Sequence, residues 1–189
     1  MIADDPDAPP RLAPFLAQWD YMSGQVLARL DGLTDDELLW EPSPSVLTVR
    51  PDAGGLGRPD ADGMAPEPVA FPPRTLAWSI GHLGSGCLVR ADWLVGTHRL
   101  RSEDVPWPLT AAEAIPFLAR GLAAWRDGLG TMTDVDLDTV GRSAWPDGLD
   151  TQLPLLDIVW WVNKELIEHA AEIWFVRDAY LVREADGSR

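Results

Sequence analysis

Glu165 and His169 lie four residues apart in an otherwise apolar stripe formed by Ile158, Val162, Ile173, Val176 and Tyr180. At helical pitch such a pair projects side by side. A carboxylate and an imidazole placed this way can take adjacent positions on one metal ion. On or beside a buried stripe each would cost ~several kcal/mol unless compensated. A cation would compensate both, but so would a hydrogen-bonded couple or half of a core salt bridge with no metal. A third candidate, His82, falls on a second stripe with Trp78, Ser85, Val89 and Trp93, among the small residues Gly81, Gly84, Ser85 and Gly86. Glycine in a helix interior costs ~1 kcal/mol relative to alanine. Their clustering therefore implies either close helix contact or space for a ligand. Cys87, five residues past His82, is turned about 140° away at helical pitch and reads as a core residue rather than a nucleophile. His98 follows Gly96 and reads as a surface residue.

The elements that must carry these groups are helices. Leu153 to Val182 contains no glycine, and its only proline, Pro154, stands where a helix starts. A first helix is expected near 12–31, with Phe15, Trp19, Met22, Val26 and Leu30 on one face and Gly32 as its stop. Thr34 to Glu37 matches a capping box opening a short turn that Pro42 ends, and Thr110 to Glu113 matches a second. The remaining helices are expected near 75–95, 111–129 and 152–182. Pro116 implies a kink or a late start in the third. No strand pattern competes, so the expected fold is all-α: a four-helix bundle, in which metal sites are built from facing helices.

Residues 1–11 read as a loose tail. The stretch 41–74 holds eight of the seventeen prolines and is too long for an ordinary connection. It reads as a mobile insertion in preference to a lid. Asp134, Asp136 and Asp138 imitate the opening of a calcium loop, but Thr139 stands where glycine is required and Trp145 where glutamate is required. An EF-hand is excluded.

The 189 residues suit one domain, 1–189. A net charge of −15, with Lys164 the single lysine against fourteen arginines, disfavours nucleic acid and anionic membrane surfaces as partners. The N-terminus carries neither basic residues nor an apolar run, and no apolar segment reaches ~18 residues, so neither a signal peptide nor a membrane span is expected. The lone Cys87 fits a cytoplasmic location. Trp161 and Phe175 fall on the otherwise polar side of the last helix, near Lys164, Glu168 and Glu172. Such aromatics imply a homodimer, or cover by the insertion.

The order of the segment from Leu33 to Pro42, the histidine in Leu76–Leu83 and the run from Asn163 to Ile173 resembles the DinB-like superfamily, which includes the mycothiol-dependent maleylpyruvate isomerase type and related bacterial thiol transferases. The run from Arg177 to Tyr180 is similar to the branch in which glutamate is one ligand. The resemblance implies a divalent metal held by His82, Glu165 and His169, with glutamate where many members have a histidine. Two imidazoles and a carboxylate suit zinc, nickel, iron or manganese without choosing among them. The resemblance further implies a low-molecular-weight thiol and an electrophilic small molecule as substrates, in an S-transferase or thiol-dependent isomerase. It names no catalytic residue. A metal-dependent hydrolase, with Glu168 or Glu172 as base, and a non-enzymatic metal-binding bundle are the alternatives.

Overall fold

The apolar periodicities form the helices they imply. The computed structural model describes residues 8–60, 72–142 and 152–187. It contains α1 (Ala13–Arg29), α2 (Asp35–Leu38), α3 (Leu76–Val95), α4 (Ala111–Leu129) and α5 (Leu155–Gly187), with short 3-10 turns at Ser102–Asp104 and Asp136–Asp138. The chain is mostly helical. α3 packs against α4 and α5, and α1 against α5 and α4. The four long helices thus share one core, in which Leu16, Trp19, Leu122, Trp125, Ile158, Val162 and Leu166 meet. Two of its buried polar groups tie helices together: Trp19 Nε1 donates to the Leu122 carbonyl at 3.2 Å, and Asn163 Nδ2 to the Phe15 carbonyl at 2.9 Å, whereas Trp125 Nε1 finds no partner among the described residues. On α1, Leu16 is buried whereas Phe15 and Met22 are only partly so. Among the described residues no helix is long and apolar enough to cross a membrane.

The helix ends follow local chemistry, with two departures. Thr34 Oγ1 accepts from the Glu37 amide at 3.2 Å, as a capping box requires. The Glu37 carboxylate does not return to the cap. It is buried, and Arg177 Nε of α5 lies 2.8 Å from its Oε1. Arg177 also donates to the Asp31 carbonyl at 2.7 Å and to the Arg29 carbonyl, which ties α5 to the end of α1. The second departure is at α4, where Thr110 makes no side-chain cap. Asp35 Oδ1 instead accepts from the Ala111 amide at 2.6 Å, so α2 caps α4 although it lies far from it in the chain. The late start expected from Pro116 does not occur, because α4 opens at Ala111 with the proline inside it.

The stretch 41–74 contains strands where none was expected. β1 (Val49–Pro51) and β2 (Gly57–Pro59) pair antiparallel, with Arg50 opposite Arg58. The turn is made by Asp52, whose Oδ1 accepts from the Gly54 and Leu56 amides at 2.8 and 3.0 Å, and by Gly55 at φ 80°. Leu47 bridges to Arg74, and Gly57 to Trp107. The chain leaving α2 is thereby led back to the start of α3. The rest of the expected mobile insertion, residues 61–71, lies outside the described residues, as do residues 1–7 of the expected tail. Arg11, at the tail's end, is paired with Asp138 at 2.8 Å.

The glycines of α3 serve close contact. A Cβ on Gly81 would stand 2.2 Å from the Trp107 ring, and one on Gly84 2.3 Å from the Phe117 ring. A Cβ on Gly121 of α4 would lie 2.6 Å from the Gly84 carbonyl oxygen. Of the two readings of the cluster, Gly81 and Gly84 take the first.

Candidate metal centre

α3 and α5 meet with His82 on one side and Glu165 and His169 on the other. Glu165 Oε2 lies 3.5 Å from His82 Nε2 and 3.5 Å from His169 Nε2. One donor atom from each of the three residues lies within 4.8 Å of the others. The edge of a tetrahedron with bonds of ~2.1 Å is about 3.4 Å, so two of the three separations already suit a shared cation. His169 is buried, while Glu165 and His82 are partly so. The i,i+4 spacing on α5 produces the Glu165–His169 edge, and the packing of α3 on α5 supplies the third group.

Electrostatics reinforce the arrangement. Burial pushes the Glu165 pKa up, but hydrogen bonds and charge from His169 and His82 outweigh it, and the net direction is well down. Glu165 is thus held as an anion between two imidazoles, the state a metal ligand needs.

The surroundings of the triad fix its geometry. His169 Nδ1 lies 2.9 Å from Glu172 Oε2. With Nδ1 hydrogen-bonded to a carboxylate, Nε2, which faces Glu165, is the ring atom left to ligate; metal-bound histidines are oriented in this way. Glu172 is itself secured by Arg74 Nη1 at 2.8 Å and Ser79 Oγ at 2.9 Å. Burial raises the Glu172 pKa, yet His169 and Arg74 bring it down to about 2. The Trp78 ring stacks on His82 with centroids 4.9 Å apart and planes 10° from parallel, and the Arg74 guanidinium lies 4.7 Å from the same ring. Arg74, Trp78 and His82 therefore form a layer over one side of the centre. The donor set, its spacing and its hydrogen-bonded support fit a divalent cation.

A cavity of about 30 Å³ adjoins the triad, lined by His82, Leu83, Gly86, Cys87, Arg90, Val162 and Glu165. Gly86 thus borders open space where Gly81 and Gly84 meet rings. Cys87 is buried, as a core residue should be, although it edges this cavity. His98 is exposed and sits against Trp93, away from the triad. The rejected calcium loop holds no open cage among the described residues: Asp136 is bonded by Thr133 and Arg142, and Asp138 by Arg11.

Arg74, Ser79 and Trp78 complete the centre without a sequence pattern that marks them as part of it. Ser79 and Trp78 lie beside His82 on α3, but Arg74 sits in the Pro-rich stretch, where no periodicity points at the core. Glu172 stood out only as a general base, and its spacing of three from His169 was the available signal for its orienting role.

A family model described as the DinB superfamily matches residues 18–173, a span that includes all three triad residues and Glu172. No curated protein and no solved structure matches the chain.

Proposed function

The chain belongs to the DinB superfamily, and from that premise we propose that it holds one divalent metal ion through His82, Glu165 and His169 and acts as a metal-dependent thiol S-transferase or thiol-dependent isomerase. The observation that carries the reading is the convergence of three metal-type donors within 4.8 Å, from two helices, in a partly buried position. Three protein ligands leave room for an exogenous one, unlike a closed structural site. A divalent ion held there supplies Lewis acidity that lowers the pKa of a thiol or of water.

The residues of the chain divide the remaining work. Glu165 contributes the single negative charge of the donor set. Glu172, pinned by Arg74 and Ser79, holds His169 in the tautomer that presents Nε2. Trp78 keeps the His82 ring in plane and excludes water from that side. The cavity of about 30 Å³ beside His82 and Glu165 has room for a single water-sized ligand group next to the donors.

Geometry favours thiol chemistry over hydrolysis in one respect. A hydrolase needs a base beside the activated water, and neither candidate carboxylate is disposed to serve. Glu168 is exposed and paired with Lys164 at 2.7 Å, and Glu172 is committed to His169, Arg74 and Ser79.

The test uses protein purified without an affinity tag. Elemental analysis should find about one equivalent of divalent metal per chain, and cobalt-substituted protein should change its visible spectrum when mycothiol or a similar thiol is added. An unchanged spectrum at saturating thiol, with cobalt in place, would overturn the thiol reading. Absence of metal binding altogether would overturn the centre.

A further inference from the structure

We propose that a second copy of this chain docks on the outer face of α5, antiparallel to it, on a two-fold axis passing through Ala171. The inference is independent of the metal reading and rests on the pattern of that face. α5 uses one flank for α1, through Asn163 and Arg177, and another for the triad. Between them runs a solvent-facing line: Trp160, Lys164, Ile167, Ala171, Phe175, Asp178 and Val182. At 100° per residue all seven fall within about 40° of one direction.

The line is apolar where a surface helix should be polar. Trp160 is 56% exposed, Ile167 37%, Phe175 74% and Val182 61%. The aromatic at this end of the helix is Trp160 and not the expected Trp161, which is partly buried with Lys164 Nζ 4.5 Å from its ring centroid.

The spacing names the partner. A two-fold interface is self-complementary, so residue i meets residue j and j meets i. Counted from Ala171, Ile167 and Phe175 stand four residues to either side, Lys164 and Asp178 seven, and Trp160 and Val182 eleven. In an antiparallel pair of α5 helices centred there, Ile167 faces the other copy's Phe175, Trp160 faces its Val182, and Lys164, the only lysine of the chain, faces its Asp178. Every apolar residue opposes an apolar one, and the one cation opposes an anion. Lys164 already touches Glu168, and Asp178 already touches Arg29. The cross pairs therefore extend existing ion pairs and mainly fix register. Fourteen residues out, Asp157 faces the other copy's Ala185, both exposed, so this register sets no carboxylate of the line against another.

Ala171 suits the crossing point. Helix axes 8–10 Å apart with Cα radii of 2.3 Å leave about 3.4–5.4 Å between the two Cα atoms on the axis, which only a small side chain permits. The upper end of that range is within the Cα–Cα span of a disulfide.

Light scattering and sedimentation across a micromolar concentration series should show a dimer. Phe175→Glu should make it monomeric with an unchanged helical spectrum, since that side chain is exposed. Asp178→Lys should weaken the dimer about tenfold, and adding Lys164→Asp should restore it. Under mild oxidation Ala171→Cys should cross-link to its own copy, whereas Leu181→Cys, exposed but off the line, should not; buried Cys87 will not interfere. A monomer at every concentration would overturn the proposal. So would a dimer that survives Phe175→Glu, or one in which Ala171→Cys stays uncross-linked.

Discussion

Two contacts of His169 give two tests: Nε2 toward Glu165 and Nδ1 to Glu172. His169→Ala removes a donor and should abolish stoichiometric metal; a full complement in that variant would refute the assignment. Glu172→Gln leaves all three donors but replaces the carboxylate that sets the His169 tautomer. Metal affinity should fall ~10–100-fold, measured by competition with a chromophoric chelator, and an unchanged affinity would remove Glu172 from the centre. Cys87 supplies a test of the core reading. Burial pushes its thiol up to about 12, against an opposing effect of Arg90. A folded pKa above the unfolded one means its stabilising contribution is complete below pH ~8.5 and is lost as pH rises through the folded value. Native protein should resist a disulfide reagent at pH ~8, and Cys87→Ala should lose less stability than the parent above pH ~8.5. Rapid native labelling would count against it. That His82, Glu165 and His169 would lie together was legible in sequence, because ionisable groups on apolar stripes need compensation. Arg74 was not, because it reaches Glu172 only through tertiary packing.

At the level of elements, the long helices were legible and the connections were not. Expected spans of 12–31, 75–95, 111–129 and 152–182 became Ala13–Arg29, Leu76–Val95, Ala111–Leu129 and Leu155–Gly187. Apolar periodicity, Gly32, Gly96 and Pro154 carry that information locally. The hairpin of β1 and β2 has no alternating pattern; an Asp52-centred turn and the Gly57–Trp107 bridge hold it. Likewise Thr110 matches a capping box but makes no cap, and Asp35 provides it from another element. The α3–α4 crossing yields a direct prediction. Because a Cβ on Gly121 would stand 2.6 Å from the Gly84 carbonyl oxygen, backbone would have to move. Gly121→Ala should destabilise by about 1–3 kcal/mol despite its better helix propensity. Gly24→Ala, with nothing within 4 Å of the added carbon, should be neutral or slightly stabilising. Chemical denaturation of both variants checks the contrast; equal effects would mean that the helices do not approach so closely.

Across the whole molecule, the centre joins two elements that are already packed. α3 and α5 each contact other long helices, and the core runs through all four. A chain of 189 residues buries enough surface to fold without a metal, unlike a small domain whose folding is metal binding. Without a cation, His82 can still donate Nε2–H to the Glu165 carboxylate, so the site is not left with an unpaired charge. Chelation should therefore leave the helical circular-dichroism spectrum intact while lowering the melting temperature. Binding to the folded state alone adds about 2.7 kcal/mol at a free metal concentration one hundred times the Kd. For a protein of this size that corresponds to a shift of ~5–10 °C. The His169→Ala variant should melt at the same temperature with or without added metal, because the linkage requires the site. Unfolding of the parent on chelation would make the metal a structural element of the fold. A metal-dependent shift that persisted in the variant would place the stabilising ion elsewhere in the molecule.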